Sequence, residues 1–132
     1  MNKKLKRSAV CCILVGDEVL LLERTYKDET IAGWCLPGGK QDKGEDDLTT
    51  ALRELTEETG IKVTNATYVT DCISGTHQYM VAIFYKKMSK KPKVTISNEH
   101  LAYAWVRVSK LDKLNLAGNT KQFINEIINV LS

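Results

Sequence analysis

The sequence predicts an α/β fold in which a mixed β-sheet is covered on both sides by helices. Three observations predict it: short β-branched or aliphatic runs recur along the chain, an interior segment has helical spacing, and the last dozen residues repeat that spacing. With 132 residues and 43% hydrophobic content, the chain reads as one globular domain over 1–132. That length supports a real core but not two of them.

The elements follow in order. The opening Met1-Asn2-Lys3-Lys4-Leu5-Lys6-Arg7 has the positive character of a secretory leader, but the apolar run after it is broken at once by Gly16-Asp17-Glu18. Residues 8–15 and 19–24 therefore read as strands of a hairpin turning at Gly16-Asp17. The polar stretch 26–34 reads as a loop. In 36–40, Pro37 fixes one backbone angle, and Gly38-Gly39 permit positive φ and a close backbone approach.

A helix is expected from Asp46 to a terminating Gly60, with Leu48, Ala51, Leu52 and Leu55 as its apolar positions. At about 100° per residue, Glu54, Glu57 and Glu58 fall in one sector roughly 100° wide beside the apolar one. Three like charges at i, i+3 and i+4 repel, so the pattern is poor design for helix stability alone. A solvated acidic face is the plain explanation of three glutamates; a hard divalent cation such as Mg²⁺ or Mn²⁺, which takes oxygen ligands, is the other.

Beyond the helix, 66–73 and 79–86 read as strands around a Ser74-Gly75 turn, and 86–93 as a solvated loop with five lysines. Residues 101–108 read as another strand, with Ser109 capping a short helical turn to Leu114. Apolar residues at 123, 124, 127, 128 and 131 make 120–131 an amphipathic closing helix.

Composition narrows the function classes. A net charge of +3 argues against a dedicated nucleic-acid binder while suiting a polyanionic small molecule. No run approaches the ~18 apolar residues of a membrane span. Cys11, Cys12, Cys35 and Cys72 have no CxxC spacing and no histidine at ligand spacing, which argues against zinc and for reduced, buried thiols of a cytoplasmic protein. Cys35 lacks the neighbouring base a nucleophilic thiol needs.

Function rests on spacing. Gly39, five residues, Glu45, seven residues and then Arg53-Glu54-Leu55-x-Glu57-Glu58-x-Gly60-Ile61 resemble the Nudix box, GX5EX7REUXEEXGU with U aliphatic, and every fixed position is matched over 39–61. Trp34-Cys35-Leu36-Pro37-Gly38-Gly39-Lys40 is similar to the W-x-x-P-G-G-K entrance of MutT-type members. Glu99 with Ala104-Trp105-Val106 resembles, more loosely, the family's late glutamate and tryptophan region.

The resemblance implies an α/β/α sandwich with a loop–helix–loop catalytic motif. It also implies Mg²⁺-dependent hydrolysis, with Mn²⁺ as the alternative ion, of a nucleoside diphosphate linked to a further group. Glu57 and Glu58 are the first metal-ligand candidates, joined by the Gly38 carbonyl and by Glu54, which is either third ligand or general base. Glu99 is the rival for both of those roles. Arg53 is expected to orient Glu54, and Glu45 to brace the loop. Arg24 and Lys40 are phosphate-contact candidates.

A nucleoside triphosphate cleaved to monophosphate and pyrophosphate is the expected substrate, a small nucleotide being the partner. Tyr79 is either a strand aromatic or, as in dinucleoside polyphosphate hydrolases of the family, a stacking residue; ADP-ribose is a further alternative. From other classes come a catalytically silent nucleotide-binding module, disfavoured because Glu54, Glu57 and Glu58 are all present, and an RNA-end processor resting on the lysine loop.

Overall fold

The computed structural model of the chain describes residues 5–24, 32–75 and 77–132. Its axis is β1 (Lys6–Val15), buried on both faces, which explains why its sequence is nearly continuous in apolar residues rather than alternating. Period-two geometry sends Ala9, Cys11 and Ile13 to one face and Cys12 and Leu14 to the other. Each face meets a different helix.

On the first face, Leu20, Ala82 and Phe84 join Ala51, Leu55 and Ile61 from α1 (Asp47–Thr59) and its exit. On the second, Leu21, Val81 and Ile83 pack against Phe123, Ile124 and Ile127 of α2 (Thr120–Leu131). Each such aliphatic side chain contributes about 1.5–3 kcal/mol when fully buried. A helix on each face of a mixed sheet is the layered α/β architecture expected.

The sheet is mixed because β1 runs parallel to β6 (Tyr79–Lys87) and antiparallel to its other neighbours. β5 (Thr67–Ile73) pairs antiparallel with β6, and β7 (His100–Arg107) antiparallel with β2 (Glu18–Arg24). The expected hairpin is present, with Gly16 at φ +61°, but β1 and β2 pair only at Leu14↔Val19 and Val15↔Glu18. The strands then part. Into the opening come β3 (Gly33–Cys35) along β2 and β4 (Gly38–Lys40) along β1.

Two expectations are corrected here. Gly33 and Trp34, placed in a loop over 26–34, belong to β3, because pairing with Arg24 and Glu23 supplies the backbone bonds that a polar local sequence does not advertise; residues 25–31 lie outside the described ones. Ser109 does not cap: a 3-10 helix runs Val108–Lys113 with Arg107 before it and no side-chain cap, held instead by the Val108 amide donating to the Asp17 carbonyl at 2.9 Å.

The ends of α1 follow the sequence closely. Asp46 accepts from the Thr49 amide at 2.8 Å, and Gly60 closes the helix at φ +75° with its amide donating to Thr56.

Candidate active site

Between β4 and α1 the chain makes a short acidic loop tied together by one guanidinium. Arg53 Nε and Nη2 donate to the two Glu45 oxygens at 2.7 and 3.0 Å, Nη2 also to the Lys40 carbonyl at 3.0 Å, and Nη1 to Glu54 at 2.9 Å and Glu57 at 3.2 Å. Glu45 completes the brace by accepting from the Asp42 amide at 2.8 Å and the Thr50 hydroxyl at 3.1 Å. These bonds, Arg53's first, hold the Glu45 carboxyl down at about 2. Arg53 thus touches the loop brace and two of the three helical glutamates.

Those three glutamates are not equivalent. Glu57 is 57% exposed, Glu54 16%, and Glu58 4%. Glu58 turns inward, where its Oε1 accepts the Gly38 amide at 2.8 Å. Burial, reinforced by the charges of Glu54 and Glu99 and opposed by the Gly38 bond, pushes the Glu58 carboxyl up to about 8. Glu54 is raised too, by burial first, against Arg53. Two carboxyls kept from ionising freely by burial and mutual repulsion form a donor set that a divalent cation would stabilise.

The glycines of β4 bring this set into register. In the antiparallel ladder Pro37 accepts from the Cys11 amide and Gln41 donates to the Arg7 carbonyl, so the alternation turns the Gly38 backbone away from β1. Its amide reaches Glu58. A Cβ at Gly38 would stand 2.4 Å from the Ala9 carbonyl, and one at Gly39 2.5–2.7 Å from the Glu54 carboxylate. Neither glycine has positive φ, so that part of the expectation is corrected: they are required for space, not for backbone angle.

Glu99 lies exposed on the loop that lays residues 95–100 against the end of α1, where the Thr95 amide bonds the Thr59 carbonyl and the Ser97 amide the Glu58 carbonyl. Its charge acts on both Glu54 and Glu58. Among the described residues, no three acidic, imidazole or thiol groups have closed to metal-ligand geometry: Glu57 is drawn to Arg53 and Glu58 to Gly38. The fit is one of donor chemistry and proximity.

On the other side of β4 opens a cavity of about 580 Å³. It brings together Arg24, Lys40 and Tyr79, which stand far apart in sequence, with Gly38, Gly39 and the start of α2 at Asn119. The Lys40 ammonium sits 5.7 Å from the centre of the Tyr79 ring, a cation–π contact. Arg24 acts electrostatically on Glu58 as well as lining the cavity. The Gly38-Gly39 backbone borders both: it lines the cavity, and Glu58 and Glu54 lie against it.

Other features fall away from this centre. The lysine loop follows the end of β6 opposite Tyr79, roughly 26 Å along the strand at ~3.3 Å per residue. There Lys86 bonds Asn65, and Lys91 bonds Glu18 and covers the Trp105 ring. Cys11, Cys12, Cys35 and Cys72 are free and buried, as expected. Cys35 does line the cavity, but burial pushes its thiol up to about 12 and Sγ donates to the Leu22 carbonyl. That thiol stays protonated.

Sequence reasoning missed His100, buried with Nε2 3.9 Å from Glu58, and the contribution of Ser74, Gln78 and Asn119 to the cavity. Burial first, then Arg24, lowers the imidazole pKa. Only its place beside Glu99 hinted at His100, and the cavity residues meet only through tertiary contacts.

Comparison with known proteins agrees with this geometry. The NUDIX domain model matches residues 5–127. The bis(5'-nucleosyl)-tetraphosphatase of Mus musculus is 33% identical over 104 residues, 74% of this chain and 69% of its own length. The nucleoside triphosphatase NudI of Escherichia fergusonii is 27% identical over 91% of this chain and 95% of its own. Among solved structures, a MutT NUDIX hydrolase from Burkholderia pseudomallei superposes with a TM-score of 0.78 at 25% identity, covering 95% of this chain and 99% of that one. A box helix carrying its glutamates behind a glycine strand, on a fold shared end to end, makes this chain a member of the Nudix family, hydrolases of nucleoside diphosphate-linked substrates.

Proposed function

We propose that the chain is an Mg²⁺-dependent pyrophosphohydrolase that cleaves a nucleoside triphosphate to its monophosphate and pyrophosphate. The observation that carries this reading is the adjacency of one 580 Å³ cavity to the carboxylate patch across the Gly38-Gly39 backbone. Pockets of about 300–1,000 Å³ hold a ligand of nucleoside size. The cavity takes the nucleoside, and the phosphates cross the glycines.

In this reading Glu57, Glu58 and the Gly38 carbonyl hold the ion, with Glu54 or Glu99 completing the set. The bound ion would polarise phosphoryl oxygens and neutralise charge developing on the leaving group. Glu54 receives the proton of the attacking water: Arg53 holds one of its oxygens, and burial raises its affinity for a proton. Glu99 is the alternative base, from the loop side. Arg24 and Lys40 meet the phosphates, and Lys40 drawn onto a phosphate would bare the Tyr79 ring for a base.

A second reading, dinucleoside polyphosphate hydrolysis, is favoured by Tyr79 in the cavity and by the 33% identity to the mouse tetraphosphatase. Product analysis tests the reaction itself. Incubation with GTP and Mg²⁺ is expected to release pyrophosphate and GMP, with nothing released after exhaustive EDTA treatment. Release of orthophosphate and GDP, or turnover surviving EDTA, would overturn the proposal.

A further inference from the structure

Glu58 is the most deeply buried of the three glutamates, and only one of its oxygens is fixed by the Gly38 amide. Its Oε2 faces His100 Nε2 at 3.9 Å, ion-pair range but beyond hydrogen-bond length. His100 is itself 2% exposed. A buried imidazole is held in place by what its two nitrogens bond, and here the far nitrogen, Nδ1, has no partner among the described residues.

A second orphan lies in the same turn. The Ser97 hydroxyl is buried without a partner, and the His100 amide donates to the Ser97 carbonyl at 3.2 Å, so both unpartnered side chains rise from one closed turn over the end of α1. Neither of these two groups bonds the other, so among the described residues nothing on the Nδ1 side fixes the ring, and the charged group in ion-pair range of the imidazole is the Glu58 carboxylate at Nε2. A ring proton on Nε2 would face that carboxylate, whereas a proton on Nδ1 would meet no acceptor among the described residues. The turn is anchored to Glu58's own backbone by the Ser97 amide.

We propose that His100 is a positioning residue for Glu58, its Nε2–H set against Oε2. The imidazole limits the second carboxylate oxygen as the Gly38 amide fixes the first. This role rests on the reading of Glu58 as a cation ligand and extends it to the residue that sets that ligand's direction. Outer partners of this kind alter metal affinity by about 10–100-fold when removed.

The test has two arms. Nitrogen NMR of the unmodified protein, freed of metal and kept at an alkaline pH at which Glu58 is ionised, reads the His100 tautomer directly, and the expected result is a proton on Nε2 with a bare Nδ1. Mn²⁺ binding followed by calorimetry is the second arm, on the parent, His100→Leu and His100→Gln. The leucine variant should bind Mn²⁺ about 10–100-fold more weakly, and the glutamine variant, which keeps a donor near Nε2, should recover most of that loss.

A proton on Nδ1, or Mn²⁺ affinity unchanged in His100→Leu, would overturn the inference. Failure of the parent to bind Mn²⁺ would instead sink the reading of Glu58 as ligand, while the tautomer still decides which ring nitrogen presents its proton to Glu58.

Discussion

Glu58 and Gly39 carry the sharpest consequences at the scale of single residues. Glu58 binds a proton more tightly folded than unfolded, since burial raises its carboxyl to about 8. Its stabilising contribution is therefore complete below the ordinary carboxylate range and is lost as pH rises toward 8. Metal-free protein should accordingly melt at a lower temperature at pH 8 than at pH 6, and Glu58→Gln should flatten that difference. With Mg²⁺ present, the same variant should lose on the order of 100-fold in kcat or more, because glutamine keeps the Gly38 contact but not the charge. Thermal melts in EDTA and steady-state rates check the two halves separately.

Gly39→Ala makes a different point. Its methyl group would press on the Glu54 carboxylate, the movable end of a side chain, so the fold should survive while turnover falls at least tenfold. Gly38→Ala meets the Ala9 carbonyl and the Val10 backbone, which cannot step aside, and overpacking of this kind costs about 1–3 kcal/mol. Chemical denaturation alongside activity should separate the two: Gly38→Ala shifts the midpoint, Gly39→Ala mainly the rate.

At the scale of elements, Arg53 makes the loop before α1 and the helix itself one unit. Lysine at 53 keeps the charge but cannot span Glu45, the Lys40 carbonyl and Glu54 together. Arg53→Lys should lower the melting temperature and open residues 41–46 to protease, with faster amide exchange there as the readout. If exchange in that loop stayed as slow as in the parent, Arg53 would not be its brace.

The same elements show what a sequence can convey. Asp46 and Gly60 bounded α1 because capping is local chemistry. The helical wheel even contained the burial order: with Glu54 at 0°, Glu58 falls about 20° from the Ala51 edge of the apolar sector, and Glu57 about 120° from it. Glu58 is buried and Glu57 exposed because one residue step turns the side chain by about 100°. By contrast, β3 and β4 are three residues each and exist because β1 and β2 diverge, a tertiary event with no local signal. His100 was hidden for the same reason, since its partner stands on another element.

At the scale of the whole molecule, the sheet divides labour between its faces and its ends. α1 presents carboxylates on one face, the cavity opens on the α2 face, and the lysine loop sits at the far end of β6. The lysine loop lies at the end of β6 opposite Tyr79 and the cavity, and the chain after it returns to the end of α1 at Thr95 and Ser97. Arg24 and Lys40, the phosphate-contact candidates of the sequence, line the cavity.

The proposed reading puts a single nucleoside in the cavity beside the acidic patch, and substrate preference tests that most directly. The ratio of kcat/KM values should be determined with Mg²⁺ for nucleoside triphosphates, diadenosine tetraphosphate and ADP-ribose, on the parent and on Tyr79→Ala. A triphosphate should be the best substrate, and Tyr79→Ala should weaken every nucleotide to a similar degree. A preference for the dinucleotide that collapses in Tyr79→Ala, while triphosphate hydrolysis persists, would contradict the single-nucleoside reading and put the dinucleoside polyphosphate hydrolase in its place.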